Sequence, residues 1–349
     1  MHMADALLSP AVAGGMYAAS AAAVAYSARK IKKDELGDSR IPLMAVSGAM
    51  VFAAQMVNFT IPGTGSSGHI GGGILLAALL GPFAGTLALA AVLIIQCLCF
   101  ADGGLLALGC NIFNIAVIPC LLVFPLVMKP LLSPSPTRRR IWAASLLSSI
   151  IALQLGSFCI VLQTTASGIV GLPFAAFVLL MQPVHLAIGV VEGAVTATIL
   201  VFVYAARPQI IISHLVPQPN NAITKNEEDG KSSQKKIIIV FACVAAITAG
   251  GLSLFASANP DGLEWSILGA SGAAGPETSG GIFAAFAGVQ ERLSFMPGYD
   301  GPAGDGGGAP IAGLVGAGLV FATAGAAALI IRASKKKRKR AEPPKAKTG

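Results

Sequence analysis

The order of apolar and polar stretches along the chain is that of a protein that crosses a membrane many times. A helix needs about 20 mainly apolar residues to cross the hydrocarbon core of a bilayer. Stretches of that kind lie at 6–28, 41–60, 73–99, 105–128, 141–163, 184–206, 237–256 and 310–332. A shorter apolar piece, 169–181, contains Pro173 and is either a further crossing or a re-entrant segment. The stretch 73–99 contains Gly81 and Pro82, where we expect the helix to break.

A polar segment rich in proline and acidic residues divides these stretches into two groups. We predict an all-α polytopic membrane protein in which a helical bundle of about seven spans is followed by a two-span C-terminal unit. The expected domains are a membrane domain at 1–206, a cytoplasmic linker at 207–236 and a second unit at 237–332. The second unit contains an external loop at 257–309, and a basic cytoplasmic tail follows at 333–349.

The composition excludes a soluble domain. Of the 349 residues, 54% are hydrophobic and 11% are charged, whereas soluble domains have roughly 25% charged residues. The net charge of +8 comes from basic residues that cluster beside the apolar stretches rather than on one face. Such clusters are typical of the cytoplasmic flanks of spanning helices, and they do not indicate binding of nucleic acid.

The basic clusters predict the orientation of the chain. Lys235, Lys236 and the run 335–340 place both ends of the second unit in the cytoplasm. If 30–33 is cytoplasmic too, the N-terminus is outside and the first unit crosses an odd number of times. Seven crossings satisfy this when 169–181 is counted. The same count places 138–140 outside, against the positive-inside rule.

Polar side chains at membrane depth need partners and are candidates for function. They are Gln55, Asn58, Gln96, Asp102, Asn111, Asn114, His185 and Glu192. For most of them hydrogen bonds between helices are a sufficient explanation. Asn58, Asn111 and His185 are also candidates to orient a metal ligand or the N-terminal segment by hydrogen bonds.

Two of the four histidines fall on the predicted external face. His2 is the second residue, and His69 lies in the glycine-rich loop 61–73. A free amine on Met1, the deprotonated amide of His2 and the His2 imidazole form fused five- and six-membered chelate rings, and a second imidazole completes a planar set of four nitrogens. Such a set suits Ni(II) or Cu(II), and Co(II) accepts the same ligands. The alternatives are a disordered terminus and a solvated loop histidine.

Four ordered motifs in the first unit resemble those of the substrate-capture subunits of nickel and cobalt energy-coupling-factor transporters, the CbiM/NikM family. The first is the opening MHMADALLSP, which is similar to the family's MHIPDGxLSP. The others are AQMVNF with GHIGGG, then FADGGLLALGCNIFN, and then HLAIGVVEG. Together they span most of 1–206. The second unit resembles the accessory subunit of the same transporters (NikN/CbiN-like), because NPDGLEW contains its PDGLE signature.

The resemblance implies a metal site made by Met1, His2 and His69, with Ni(II) or Co(II) as the transported substrate. Met3, Ala4 and Ala6 stand where the family has Ile, Pro and Gly, but these residues are not ligands. It also implies a transmembrane coupling protein (CbiQ/NikQ-like) and two ABC-type ATPase subunits (CbiO/NikO-like) as partners. The chain has no GxxxxGK[ST] motif of its own for ATP.

Two other classes of protein compete with this interpretation. An ATP-independent secondary metal-cation carrier would need embedded carboxylates, for which Asp102 and Glu192 are the candidates. A membrane enzyme would need HExxH, GxSxG or paired aspartates, and the sequence lacks them. We therefore expect a transporter component of the bacterial or archaeal cell membrane that is not an enzyme.

Overall fold

The computed structural model describes residues 2–31, 40–133, 136–215, 227–272, 280–300 and 308–341. The first unit contains nine α-helices in these ranges: α1 (Pro10–Lys30), α2 (Arg40–Gln55), α3 (Gly73–Leu80), α4 (Pro82–Phe100), α5 (Leu108–Ile112), α6 (Lys129–Leu132), α7 (Arg138–Ser167), α8 (Phe174–Ala206) and α9 (Gln209–Leu215). A π-helix, Phe113–Met128, joins α5 to α6. The strands β1 (Phe59–Ile61) and β2 (Ser66–Gly68) pair antiparallel between α2 and α3.

The second unit contains four further α-helices in the described ranges. They are α10 (Glu227–Gly250), α11 (Gly262–Ser271), α12 (Gly281–Leu293) and α13 (Ala309–Ala341). Helix α10 therefore begins within the predicted linker, α13 extends into the predicted basic tail, and the predicted external loop contains α11 and α12. Helices α10 and α13 pack against α2 of the first unit.

The stretch 73–99 breaks at Gly81, as predicted, but it is two antiparallel helices rather than one span. Gly81 has φ 88° and Pro82 is the first residue of α4. A Cβ on Gly85 would lie 2.9 Å from the backbone nitrogen of Ala77, so α4 returns directly alongside α3. The close approach depends on small residues, as is common between membrane helices.

This hairpin corrects the expected placement of Arg138. Tyr204, near the end of α8, donates a hydrogen bond of 2.9 Å to the carbonyl oxygen of Pro136, just before α7. The start of α7 therefore lies at the same end of the bundle as Arg207, and not at the opposite end. The α3–α4 hairpin supplies the additional passage of the chain that the sequence pattern assigns to 169–181.

The predicted pieces 169–181 and 184–206 are not separate crossings. Helix α8 is continuous over 33 residues with Pro183 inside it. Proline at 183 lacks the N–H that would bond the Leu179 carbonyl one turn earlier. Close to the proline, the Gln182 carbonyl accepts a hydrogen bond of 2.9 Å from Gln154 on α7, which ties the two helices together at this level. Proline inside a membrane helix is tolerated where the helix is packed against its neighbours, and α8 packs along α7.

Five helical segments of the described chain are long and apolar enough to cross a membrane. They are Pro82–Phe100, Leu108–Leu132, Arg138–Ser167, Phe174–Ala206 and Ala309–Ser334. Helix α2 is apolar but shorter. The chain is a multi-pass helical membrane protein, and the small β1–β2 hairpin is its one described sheet.

Candidate metal centre

The N-terminal segment is inserted between the helices and held by its backbone. Met3 is fully buried, and its N–H donates to the Asn111 side-chain oxygen at 2.8 Å. The Asn111 amide donates back to the Met3 carbonyl at 3.3 Å, and the N–H of Gly104 donates to the same carbonyl at 2.8 Å. A single amide side chain thus fixes both sides of the backbone next to His2.

Asp5 anchors the other end of this segment. Its carboxylate accepts a hydrogen bond of 3.0 Å from the N–H of Ala107. A Cβ on Gly104 would lie 1.8 Å from the Asp5 carboxylate oxygen, so the close approach requires glycine there. Met3 and Asp5 together fix the segment that carries His2.

The loop that carries His69 is held by a buried carboxylate. Glu192 of α8 is 3% exposed and accepts hydrogen bonds from the N–H groups of Gly71 at 2.6 Å and Gly72 at 3.1 Å. From the other side, the Gln55 side chain donates to the Gly71 carbonyl at 2.8 Å. A buried N–H without a partner is costly, so Glu192 determines where this loop lies.

The two segments bring His2 and His69 together. Their ring centroids are 5.2 Å apart, and the ring planes differ by 14°. The His2 side chain is 7% exposed, and His69 is 8% exposed. Two imidazoles that are distant in sequence therefore share one nearly closed site.

The hydrogen bonding of His69 leaves one ring nitrogen available to a metal. Its Nδ1 lies 3.1 Å from the carbonyl oxygen of Ile70. A carbonyl can only accept, so Nδ1 holds the proton and Nε2 has the lone pair. Burial is the largest of the causes that lower the pKa of His69 to about 3. The imidazole is therefore neutral at neutral pH, which is the form that binds metals.

Asp102 contacts the other imidazole. Its Oδ1 lies 3.1 Å from Nδ1 of His2, and its Oδ2 accepts a hydrogen bond of 2.6 Å from the hydroxyl of Tyr299. Burial acts to raise the pKa of Asp102, but the charge of His2 and these two hydrogen bonds hold that pKa below its usual range. The site therefore contains a carboxylate beside an imidazole.

The second unit packs directly against the loop of His69. The N–H of Ser67 donates to the carbonyl of Pro260 at 2.8 Å, and its hydroxyl donates to the carbonyl of Asn259 at 2.8 Å. Asp261 then begins α11 through a capping box with Glu264. The PDGLE signature is thus a helix start docked on strand β2.

Glycine within that signature permits close contact with α8. A Cβ on Gly262 would lie 2.6 Å from Cγ1 of Val184 and 3.2 Å from Cε1 of His185. The PDGLE signature therefore contacts α8, the helix to which Glu192 also belongs.

The other predicted site residues lie in different surroundings. Met1 lies outside the described residues. The Nδ1 of His185 hydrogen-bonds the Met181 carbonyl at 2.7 Å rather than His69. The side-chain oxygen of Asn58 is buried without a hydrogen-bond partner, while its carbonyl accepts from the N–H of Ser257 at 2.8 Å. Of the three candidates for orientation, Asn111 is the one that contacts the N-terminal segment.

Sequence patterns gave no indication of Tyr299 or Gln290. Tyr299 is the last residue of a short 3₁₀ turn, Pro297–Tyr299, in the second unit. Gln290 of α12 donates to the carbonyl of Gly103 at 2.7 Å and to that of Cys97 at 3.0 Å. These two hydrogen bonds, and that of Tyr299 to Asp102, join residues 187 to 197 positions apart, and local periodicity contains no signal for such pairs.

In the described ranges, no group of three or more His, Cys, Asp or Glu side chains is arranged to hold a metal ion. The predicted ligand set contains two imidazoles, and its other donors are the amine of Met1 and the amide of His2. Imidazole and amine nitrogens suit Ni(II), Co(II) and Cu(II).

Comparison with protein families gives two matches, one for each unit. Residues 2–210 match the family described as the cobalt uptake substrate-specific transmembrane region. Residues 235–333 match the PDGLE domain.

Several proteins with related sequences are described as metal transporters. A putative metal transport protein of Haloquadratum walsbyi is 38% identical over 219 residues, which is 61% of this chain and 94% of that protein. A putative fused nickel transport protein of Archaeoglobus fulgidus is 36% identical over 62% of this chain and 70% of that protein. A crystal structure of a truncated transition metal transporter has a TM-score of 0.51 at 28% identity, over 59% of this chain and 98% of that chain.

Proposed function

The chain belongs to the cobalt uptake substrate-specific transmembrane family and has a PDGLE domain after that region, and from this we propose that it captures Ni(II) or Co(II) for import by an ATP-driven energy-coupling-factor transporter. The chain itself performs no covalent chemistry. It binds the ion at its extracytoplasmic end and releases it inside when its partners change its orientation or close its loop.

The proposed ligands are the amine of Met1, the amide and imidazole nitrogens of His2, and the imidazole of His69. The observation that supports this proposal best is the 5.2 Å separation of the two ring centroids in a nearly closed site. The buried backbone of Met3 supports it further, because it fixes the direction in which the chain leaves His2.

Nickel is the favoured ion. Four nitrogens that include a deprotonated amide favour planar coordination, which suits Ni(II) better than Co(II). A relative with the same fusion in Rhodobacter capsulatus is described as a fused nickel transport protein, and it is 30% identical over 229 residues. Nitrogen ligands bind Ni(II) more tightly than Co(II) in general, so affinity alone does not define the physiological ion.

Energy has to come from partners, a transmembrane coupling protein and two ABC-type ATPases. Helix α1 offers a surface for close helix contact, because Gly14, Ala18 and Ala22 follow one another at intervals of four and are all exposed. Small residues at this spacing allow helix backbones to approach closely. We propose this face of α1 as the surface for the coupling protein.

The membrane orientation follows from the distribution of basic residues. The end of the bundle that contains Arg40, Arg138 and Arg207 is cytoplasmic in this proposal, which satisfies the positive-inside rule. His2 and His69 are then extracytoplasmic. The C-terminal basic run is cytoplasmic, so α11 and α12 lie outside with the metal site.

The runner-up is an ATP-independent secondary metal-cation carrier, and a flux measurement separates the two functions. The purified chain, with native Met1, is placed in liposomes that contain a metal-sensitive dye, and a Ni(II) gradient is imposed. We expect one bound ion per chain and a flux no greater than that of a His69→Ala variant. Sustained flux by the chain alone, abolished by that variant, would establish a carrier and contradict the proposal.

A further inference from the structure

One short loop of the first unit links the metal site to the second unit. The loop follows α4 and contains Asp102, whose carboxylate bridges His2 and Tyr299 at 3.1 and 2.6 Å. Gln290 holds the same loop by its hydrogen bond to the carbonyl of Gly103. The Tyr299 ring also stacks on Phe100, with centroids 5.0 Å apart and 23° between the planes.

The backbone on both sides of this contact is strained. Ala101 has φ 52° and Tyr299 has φ 65°, and these are the non-glycine residues with positive φ in the described ranges. Residues other than glycine keep such a conformation only where the surroundings enforce it, and they cluster at functional sites. The hydrogen bond joins Tyr299, which is one of these positions, to Asp102, which follows the other.

The two nitrogens of His2 have unequal surroundings. Nδ1 contacts Asp102, whereas Nε2 is buried without a hydrogen-bond partner. The six-membered chelate ring of the proposed site includes the His2 amide and closes through Nδ1. Asp102 and the ion therefore compete for the same ring nitrogen in this ring orientation. Rotation of the ring by half a turn about its bond to Cβ exchanges the two sides and turns Nε2 toward the carboxylate.

We propose that Asp102, held by the Tyr299 hydroxyl of the second unit, is a positioning residue that binds Nδ1 of His2 in the metal-free protein and Nε2–H when Nδ1 binds the ion. This inference rests on the proposed function. A ligating histidine usually donates its other N–H to a carboxylate or carbonyl, and that bond fixes the ring and raises its basicity. Asp102 is the carboxylate in contact with His2 in the described structure. The second unit thus takes part in metal binding through a hydrogen bond to the positioning residue.

Ni(II) affinity of detergent-purified full-length variants tests this role. Asp102→Ala should weaken binding roughly 10- to 100-fold, the usual cost of losing such a partner. Asp102→Asn keeps an acceptor oxygen and should recover about half of that loss on a logarithmic scale. Tyr299→Phe should weaken binding about tenfold, because a hydrogen bond to a charged group is lost.

Two further measurements distinguish positioning from a merely structural role. In an Asp102→Ala background, Tyr299→Phe should change the affinity by less than about twofold, because coupled residues are not additive. Nitrogen NMR of histidine-labelled protein should show His2 protonated at Nδ1 without metal and at Nε2 with planar, diamagnetic Ni(II). Asp300→Asn, at an exposed carboxylate, and Tyr204→Phe, at a distant hydroxyl, are the matched controls and should leave the affinity unchanged.

The outcomes separate this inference from the proposed function. If the unaltered chain does not bind Ni(II) or Co(II), the proposed function fails. If it binds and Asp102→Ala has the same affinity, or Tyr299→Phe costs as much in the Asp102→Ala background as alone, the positioning role is wrong while metal capture stands. An unchanged protonation pattern of His2 upon loading would also contradict it.

Discussion

Replacing His69 with alanine should abolish stoichiometric Ni(II) binding while the fold is retained. The substitution removes one of the four proposed nitrogen ligands. Loss of a residue that only hydrogen-bonds a ligand lowers metal affinity about 10- to 100-fold, so we expect loss of a ligand itself to lower the affinity by more than about 100-fold. The one described hydrogen bond of the His69 side chain is to the adjacent Ile70 carbonyl. The other described contact of this side chain is the stacked ring of His2. The hydrogen bonds from Glu192 and Gln55 that hold the loop do not use the His69 side chain, so the melting temperature should change little.

Equilibrium dialysis with metal analysis checks this prediction. His214→Ala is the control, because His214 lies on the short helix α9 after α8, at the end of the bundle opposite to the site. The control should bind one ion as the unaltered chain does. A His69→Ala protein that still binds one ion with native affinity would remove His69 from the ligand set.

Glu192→Gln should release the loop of His69 and weaken Ni(II) binding by roughly 10- to 100-fold. The carboxylate accepts from two N–H groups, Gly71 and Gly72. Glutamine has one acceptor oxygen, and its NH₂ group cannot accept from the second N–H. Leaving a buried donor without a partner costs about 1–3 kcal/mol, which the loop avoids by moving away from α8.

Amide hydrogen exchange identifies this cause. In Glu192→Gln the amides of 71 and 72 should exchange faster, while those of α7 are unchanged. Glu291→Gln, on the exposed face of α12, changes the same chemical group without a loop to hold and should alter neither exchange nor affinity. If Glu192→Gln binds Ni(II) as tightly as the unaltered chain, Glu192 has a purely architectural role.

The helical, membrane-spanning character of the chain was predictable because apolar stretches of bilayer length are a strong signal. The path of the chain through the helical bundle was less predictable. Gly81 and Pro82 indicate a break, but a break is compatible with a kink or a reversal. The packing of Gly85 on Ala77 decides for reversal, and it depends on the tertiary structure.

At Pro183 the sequence pattern predicts a gap between two helical pieces, whereas the structure has one continuous helix, α8. Proline argues for a helix end in an isolated sequence, and the predicted pieces 169–181 and 184–206 leave Pro183 in the gap between them. In the structure α8 continues through Pro183 and packs along α7, to which Gln154 and the Gln182 carbonyl join it by a hydrogen bond. Packing against a neighbouring helix can thus outweigh a local preference that would end an isolated helix.

The sequence was sufficient to select the two imidazoles of the candidate site. It was not sufficient to identify the hydrogen bonds that hold them in place. His2 and His69 are rare residue types in distinctive positions. Asp102 and Glu192 were candidates because carboxylates at membrane depth need partners, but their partners were not identifiable. Tyr299 belongs to the other unit, and its contact with Asp102 spans 197 positions. Such pairings depend on how the two units dock.

Ni(II) binding by the chain with its native Met1, compared with a chain extended by a few residues ahead of Met1, tests the central claim most directly. The extension removes the free amine and leaves every side chain in place. The account predicts one tightly bound ion for the native chain and loss of tight binding for the extended chain. Equal binding by both would place the metal elsewhere, and His185 and Glu192 of α8 would become the next residues to test.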